Sequence, residues 1–168
     1  HPMHETARQV YMGMAGVLVI DDPAAPAGVL PSTYGVDDLP LVLQDRRLAP
    51  DGSHPYSEGR SLAMRDQMAG LKGQTILVNG AVRPRAVVPK GLVRLRVLNG
   101  SNARNYHLGF ADGRRFWIVA GDGGWLEAPV ETARALVAPG ERVELLVDFG
   151  ADASSSSVLL RSFSGEVA

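Results

Sequence analysis

The stretch over residues 92–110 restricts the fold of this chain more than any other part of the sequence. Apolar side chains take every second position before and after a polar loop: Val93, Leu95 and Val97, then Tyr106, Leu108 and Phe110. This period of two, with arginines at the alternate positions of the first run, is typical of a half-buried strand. The turn formers of residues 99–102 interrupt the period. The stretch therefore predicts two strands around a tight loop, in the middle of an antiparallel β domain.

Short strand signals, separated by Gly and Pro turns, continue along the rest of the chain. We predict strands over residues 17–20, 39–44, 75–78, 130–137, 143–149 and 158–163, with a hairpin at Asn79-Gly80. Leu95 and Leu145 are predicted to be core residues on facing or neighbouring strands. One short helix is predicted within residues 61–70, with its buried side formed by Leu62, Met68 and Ala69. These signals favour a β sandwich or barrel over a parallel α/β sheet.

Composition limits the classes of protein to which this sequence can belong. A length of 168 residues with 45% hydrophobic and 21% charged residues suits one ordinary globular domain with a sizeable core. The net charge of −1 gives no reason to expect a nucleic acid or an anionic membrane surface as partner. The chain has no cysteine, so disulfides, Cys-ligated zinc and the thiolate of a type 1 copper site are excluded within it. No apolar run is long enough to span a bilayer.

Several motifs follow one another in a specific order. The motif R-L-R-x-L-N-G-x-N-A-R at residues 94–104 is followed by an aromatic strand and by A-x-D-G-G at residues 120–124. Further segments are T-A-R-Q-V and M-G-M-A-G near the start, T-I-L-V-N-G at residues 75–80 and P-G-E-R-V-E-L-L-V at residues 139–147. Together they resemble the second cupredoxin domain of bacterial three-domain multicopper oxidases, which include laccase-like and copper-efflux oxidases. The resemblance implies an all-β, cupredoxin-like Greek-key β sandwich or barrel with at most short helices.

The resemblance also implies a division of the chain. Residues 1–21 match the C-terminal tail of a first cupredoxin domain, residues 22–36 form a Pro- and Ala-rich linker, and residues 37–168 form a second cupredoxin-like domain. Because the sequence opens on His1 and within a motif, we expect it to be a piece of a longer protein. Its partners would be the remaining cupredoxin domains. The apolar run 17–20 is expected either to fold back on its own β domain or to pair with a second copy, giving a homo-oligomer.

One histidine is a candidate copper ligand. In the family, an H-x-H pair precedes T-x-R-Q-V and ligates the paired coppers of a trinuclear centre, and His1 takes the second position of that pair. The alternative is that His1 is a frayed terminal residue that binds no metal. His4 falls where the family often has Gly, so no ligand role is carried over to it. His54 lies in a turn and is expected to be solvated, and His107 is expected to be a surface or hydrogen-bonded residue rather than a ligand.

The resemblance implies a function for the longer protein and a different role for this chain. The longer protein would be a multicopper oxidase, with copper as its cofactor, that oxidises a phenol-type substrate or a metal ion and reduces O2 to water. This chain, as the middle domain, would be structural and inactive by itself. The alternative is a copper-free cupredoxin scaffold that acts in protein interactions at the cell envelope. Either protein would be periplasmic or secreted, and the H-C-H-type ligands of the third domain would discriminate between them.

Other patterns have weaker functional interpretations. Residues 4–8 miss the zinc motif H-E-x-x-H, because Arg stands where the second ligand is needed. Met64 and Met68 would share a helix face and are expected to be packed in the core rather than to bind Cu(I). Asn99-Gly100-Ser101 fits a glycosylation acceptor in a secretory setting. A mixed, solvated surface is expected for five arginines: Arg94, Arg96, Arg104, Arg114 and Arg115. The run G-D-G-G at residues 121–124 is expected to be a turn rather than a phosphate-binding loop, since no helix follows it.

Overall fold

The computed structural model describes residues 3–20, 30–56 and 63–164, and strands dominate this part of the chain. Its helices are α1 (Thr6–Tyr11) and α2 (Met64–Ala69). Its strands are β1 (Asp38–Arg46), β2 (Thr75–Val78), β3 (Ala81–Val82), β4 (Leu92–Asn99), β5 (Tyr106–Phe110), β6 (Phe116–Gly121), β7 (Gly124–Thr132), β8 (Ala135–Val137), β9 (Arg142–Asp148) and β10 (Leu160–Ser162). The prediction of an all-β fold with short helices is confirmed.

The strands form two sheets that face each other. The larger sheet has the order β3-β2-β1-β4-β9-β6-β7, and the smaller has the order β10-β5-β8. Strands β4 and β5, predicted as neighbours around one loop, lie in different sheets, so the loop between them crosses the sandwich. The pairing of β1 with β4 is parallel, which corrects the prediction of an antiparallel domain at this point. A parallel pair needs a long crossover connection, and residues 47–91 supply it.

The core lies between the two sheets and follows the alternating pattern of the sequence. Leu95 on β4 lies directly opposite Leu145 on β9, and both side chains are buried. This placement confirms the prediction that they are core residues on neighbouring strands. Apolar side chains of the smaller sheet close the core from the other side: Tyr106, Leu108, Phe110, Ala135 and Val137. Burial of this shared apolar face is the main favourable term that holds the sandwich together.

Two strand predictions were wrong, one in its existence and the other in its extent. Residues 17–20 form no strand in the structure, and the predicted strand over residues 130–137 is divided between β7 and β8. The division occurs at Thr132, whose hydroxyl donates to the carbonyl of Arg134 and accepts from its backbone N–H. This local turn directs the chain from the larger sheet to the smaller one. The signal for this turn was Thr132 alone, which does not stand out in a run that already mixes polar residues, Glu131 and Arg134, with apolar ones.

The orientation of helix α2 also differs from the prediction. Met64 and Met68 are 76% and 84% exposed, whereas Asp66 on the opposite side is buried. Met64, Met68 and Ala69 therefore do not belong to the core, and Leu62 lies outside the described residues. The helix turns its acidic side inward because Asp66 accepts two hydrogen bonds from the guanidinium of Arg47, at 2.6 and 2.7 Å. A charge-assisted, bidentate pair outweighs the burial of two flexible methionines on a helix of six residues.

The hairpin predicted at Asn79-Gly80 is present between β2 and β3. Both residues have positive φ angles, 51° and 80°, as the favoured two-residue hairpin turn requires. The Asn79 side chain also accepts from the backbone N–H of Val42 and donates to the carbonyl of Pro40, so the hairpin is tied to β1.

In the part of the chain that the structure describes, no helix is long and apolar enough to cross a membrane.

Candidate functional site

The predicted copper ligand His1 lies outside the described residues. Of the other histidines, His4 has a positive φ of 67° just before α1, and His107 is half-buried on β5. Within residues 3–20, 30–56 and 63–164, no group of three or more His, Asp or Glu side chains could hold a metal ion. The described residues thus do not fit a copper centre, and the chemistry of this part of the molecule has to be sought elsewhere.

The densest group of buried polar side chains lies where α1 packs against the end of β1. We call it the junction cluster and define it by its members: Tyr11, Asp45, Arg46, Arg47, Asp66, Asn102 and Arg104. They come from α1, the end of β1 with the residue that follows it, α2 and the loop between β4 and β5. Asp45 and Arg46 are 2% and 3% exposed, which is rare for charged residues unless they are paired. The cluster therefore joins four separate segments of the chain.

Tyr11 is the centre of the contact between α1 and the sandwich. It is 1% exposed, and its hydroxyl accepts from the backbone N–H of Arg47 at 3.0 Å. The guanidinium carbon of Arg46 lies 4.9 Å from the centre of the Tyr11 ring, within the range of a cation–π interaction. The same guanidinium donates to the carbonyl of Val10 at 3.0 Å, and burial lowers the pKa of Arg46 from its ordinary value. One arginine thus binds both the ring and the C-terminal end of the helix.

Asp45 fixes the other side of the cluster. Its Oδ2 accepts from the backbone N–H of Gly73 at 2.7 Å and from Nε of Arg104 at 2.9 Å. Arg104 also donates to the carbonyl of Gly73, so both backbone groups of this glycine are used. A Cβ built on Gly73 would come within 2.2–2.4 Å of backbone atoms of Arg46, which leaves no space for any other residue. The loop before β2 therefore lies directly on the backbone of β1.

Arg47 connects β1 to α2 and to the same loop. Its guanidinium donates to both carboxylate oxygens of Asp66 and to the carbonyl of Lys72. The hydrogen bonds from Arg47 lower the pKa of Asp66, and the same bonds raise the pKa of Arg47. Each partner therefore favours the ionised form of the other.

The motif at residues 99–104 supplies two members of the junction cluster, Asn102 and Arg104, and one residue that supports them, Asn99. Asn102 donates to the carbonyl of Ala7 in α1, and Arg104 binds Asp45. Asn99 is 0% exposed, and its amide donates to the carbonyls of Arg104 and Val137. Its side-chain nitrogen is thus occupied in the folded chain, which excludes Asn99 as a glycosylation acceptor. The sequence indicated a turn here; the structure shows a loop whose polar side chains hold α1 and the two sheets.

A second group of charges lies on the outer face of the larger sheet. Arg94 donates to Glu144, and Arg96 donates to both carboxylate oxygens of Asp38. Asp38 and Arg94 are only 3% and 6% exposed, and the ring of Trp125 lies 4.9 Å from the guanidinium carbon of Arg94. The prediction of a solvated surface was therefore wrong for Arg94, since carboxylates from two neighbouring strands and an indole cover it. This network ties β1, β4 and β9 together and shows no open position for a substrate.

Tyr106 links the core to the junction cluster and carries a pH-dependent prediction. Burial raises its pKa to about 12, although its hydroxyl shares a 2.8 Å hydrogen bond with that of Ser101. A tyrosine whose pKa is higher in the folded state contributes stability that is present below about pH 10 and is lost as pH rises towards 12. We expect the wild-type free energy of unfolding to fall across this interval more steeply than that of the Tyr106→Phe variant.

Urea titrations of both proteins at intervals between pH 8 and pH 12 would measure this difference. Tyr34, which is 69% exposed, offers a matched control, because Tyr34→Phe should keep the wild-type slope. Parallel curves for wild type and Tyr106→Phe would contradict the prediction.

Sequence reasoning missed the junction cluster for an identifiable reason. The run Asp45-Arg46-Arg47 at the end of a predicted strand resembles an ordinary charged turn. Its partners are 19 to 59 residues away along the chain, so no local spacing reveals them. The available signal was the N-x-x-N-A-R segment, where two amides and an arginine follow a buried strand. The chemistry of the junction cluster is that of an attachment site rather than of a catalytic centre. Every strong hydrogen-bond donor of the cluster described above is paired with an acceptor within the chain.

Comparison with known proteins agrees with this architecture. The sequence model of the multicopper oxidase family matches residues 53–159. A curated relative, the cell division protein FtsP of Salmonella typhimurium, is 46% identical over 145 residues, which are 86% of this chain and 29% of the relative. The chain therefore spans less than a third of the length of that relative.

Solved structures of multicopper oxidases and laccases also resemble this chain in fold. The laccase from Pediococcus acidilactici Pa5930 superposes with a TM-score of 0.85 and 39% identity, covering 97% of this chain and 34% of the laccase. The laccase-like multicopper oxidase CueO from Ochrobactrum sp. superposes with a TM-score of 0.77 and 42% identity, covering 93% of this chain and 36% of that one. The predicted cupredoxin-like sandwich is thus confirmed, and the chain resembles one domain of multidomain proteins.

Proposed function

This chain belongs to the multicopper oxidase family, and we propose that it is the middle cupredoxin-like domain of a longer oxidase, joined to the tail of the preceding domain. In this proposal residues 1–21 form the tail, residues 22–36 the linker and residues 37–168 the middle domain. The longer protein is periplasmic or secreted and oxidises a phenol-type substrate or a metal ion, with reduction of O2 to water. The 168-residue chain itself is structural.

The junction cluster is the observation that supports one part of the proposal, the attachment of the tail of the preceding domain to the middle domain. Helix α1 begins five residues after His1, the proposed copper ligand. Arg46 and the backbone of Arg47 hold its C-terminal end, and Asn102 holds its first turn through the carbonyl of Ala7. A ligand positioned by a neighbouring domain needs such an attachment, since a displacement of about 1 Å at a reacting centre costs on the order of 100-fold in rate. The middle domain therefore supports α1, the helix that follows the proposed copper ligand His1 in the chain.

The experiment for this proposal uses the longer protein. We expect it to retain copper after dialysis and to consume O2 with a phenol or a reduced metal ion as substrate. His1→Ala should lower the copper content, whereas His107→Ala, which changes a histidine on β5, should leave it unchanged. Copper retention and O2 uptake that are equal in wild type and His1→Ala would contradict the ligand role of His1.

The 168-residue chain gives a complementary prediction. We expect that it alone neither retains stoichiometric copper nor oxidises phenols. The blue absorbance of a type 1 site needs a cysteine thiolate, and the chain has no cysteine. Metal analysis after dialysis against a chelator-free buffer, with an absorbance spectrum, would measure both properties. A dialysed sample that keeps one copper per chain would contradict this prediction.

A copper-free scaffold of the cell envelope is the second candidate. Its support is the 46% identity to a protein named for cell division, against 42% and 39% for the two oxidase structures described above. A longer protein that binds no copper under any loading condition, yet folds normally, would favour this candidate. The junction cluster serves both candidates equally, because either protein needs its domains held in fixed positions.

A further inference from the structure

A groove lies between the segment that follows α1 and the outer face of β1 and β2. Its volume of about 560 Å³ is within the range of pockets that bind small molecules. Small and aliphatic side chains form much of its lining: Ala15, Val17 and Val19 from the segment, and Pro40, Val42 and Leu77 from the strands. Because two parts of one chain supply the walls, the space between them suits a small apolar body rather than the surface of another protein.

Gln44 lines this groove with a hydrogen-bond donor that has no acceptor. It lies on β1 opposite Leu77 of β2 and is only 6% exposed. Its amide nitrogen Nε2 is closed off from water and meets no acceptor among the described residues. Leaving a buried donor without an acceptor destabilises a folded protein. The torsion that turns a terminal amide is soft, so a small rotation directs Nε2 at an acceptor bound in the groove.

Arg46 lines the same groove with a positive charge, on the face of β1 that also carries Gln44. Arg46 is 3% exposed, and its guanidinium donates to the backbone carbonyls of Asp45 and Val10. The carboxylate of Asp45 is directed to other donors, and no carboxylate of the described residues forms an ion pair with Arg46. Since a buried charge is costly without a counter-charge, this end of β1 favours an anion in the groove.

We propose that the groove binds a small aliphatic monocarboxylate, whose apolar body lies against Val42 and Leu77 and whose carboxylate accepts from Nε2 of Gln44 beside the guanidinium of Arg46. A carboxylate supplies on one group the two things that the groove lacks, a negative charge and hydrogen-bond acceptors. An alcohol of the same length supplies an acceptor without the charge, and an ammonium supplies neither. The inference does not rest on the proposed function, because every residue that it uses belongs to this chain.

Calorimetric titration of octanoate at neutral pH tests the proposal in the longer protein, where everything that adjoins the groove is in place. We expect octanoate to bind at a single site, with octanol and octylamine binding at least about tenfold more weakly. Equal affinities for octanoate and octanol would overturn the proposal, because the charge of Arg46 would then play no part. Absence of octanoate binding would also overturn it. If octanoate bound only to the 168-residue chain, another part of the longer protein would be the occupant, and the proposal would again be wrong.

The variant Gln44→Leu tests the contact to the carboxylate. It removes Nε2 and keeps a side chain of similar size, so octanoate should bind about tenfold more weakly, while the unliganded protein becomes no less stable because its unpaired donor is gone. Gln67→Leu is the matched control, because Gln67 is exposed on α2 and does not line the groove. An unchanged octanoate affinity in Gln44→Leu, or an equal loss in both variants, would overturn the proposal.

A measurement on the wild type keeps the test independent of folding in the variant. If Gln44→Leu fails to fold, the side-chain amide resonances of Gln44 in the wild type should shift when octanoate is added. Resonances that stay unchanged at saturating octanoate would overturn the proposal. Neither measurement depends on copper, so failure here is distinct from failure of the oxidase assignment.

Discussion

Replacing Leu145 by alanine should destabilise the protein by roughly 2–5 kcal/mol, and Leu95→Ala should do the same. Leu145 is 0% exposed and lies opposite Leu95, which is 6% exposed, in the paired strands β9 and β4. Truncating either side chain removes buried apolar atoms and leaves a cavity between two sheets that cannot close fully. Chemical denaturation, with the midpoint and slope determined for each variant, measures the loss.

The control is a leucine of the smaller sheet. Leu136 on β8 is 64% exposed, so Leu136→Ala should change the free energy of unfolding by no more than about 0.5 kcal/mol. The double variant Leu95→Ala/Leu145→Ala should deviate from additivity, because the two side chains face one another. A loss well under about 2 kcal/mol at both positions would mean that the register differs by one residue, since such a shift exchanges the faces of a strand.

The core was predictable because its signal is local. The period of two over β4 and β9 places Val93, Leu95 and Val97 on one face, and these residues are indeed buried. A side chain on a regular strand has only two faces available, so the pattern decides which side chains face the core. The hairpin at Asn79-Gly80 was predictable for a similar reason, because its two residues need a positive φ and Asn and Gly are the residue types that adopt it most readily.

The polar parts of the molecule were not predictable by this means. Arg94 occupies the expected outer face of β4, yet it is 6% exposed because Trp125, Glu144 and Asp38 come from distant parts of the chain to cover it. Helix α2 turns Asp66 inward for the same reason, since its partner Arg47 lies on the segment after β1. A periodic pattern reports which face a residue takes, but not which charged group meets it there. Burial of paired charges therefore becomes visible only once the sheets are assembled.

Loss of the Asp45 carboxylate should be the most damaging single change in the junction cluster. Asp45→Ala leaves the buried N–H of Gly73 without an acceptor and removes the ion-pair partner of Arg104, whose side chain is 28% exposed. Removing one member of a buried pair costs about 3–5 kcal/mol, because the remaining charge stays desolvated. We expect a loss near the lower end of this range, since Arg104 can still reach water. Asp45→Asn should cost less, because its amide oxygen can accept one of the two hydrogen bonds.

Three further measurements connect this loss to the junction cluster. Asp51→Ala removes an exposed carboxylate that also accepts from a backbone N–H, that of Ser53, and should cost much less than Asp45→Ala. In the double variant Asp45→Ala/Arg104→Ala the loss should be smaller than the sum of the two single losses, because each single change leaves the other charge unpaired. Exchange at the amides of α1 should rise in Asp45→Ala, since Arg46 and Arg47, which hold this helix, are the two residues that follow Asp45 in the chain. Additive losses, or an α1 that exchanges as in wild type, would show that Asp45 stabilises only its own loop and that the cluster does not act as one unit.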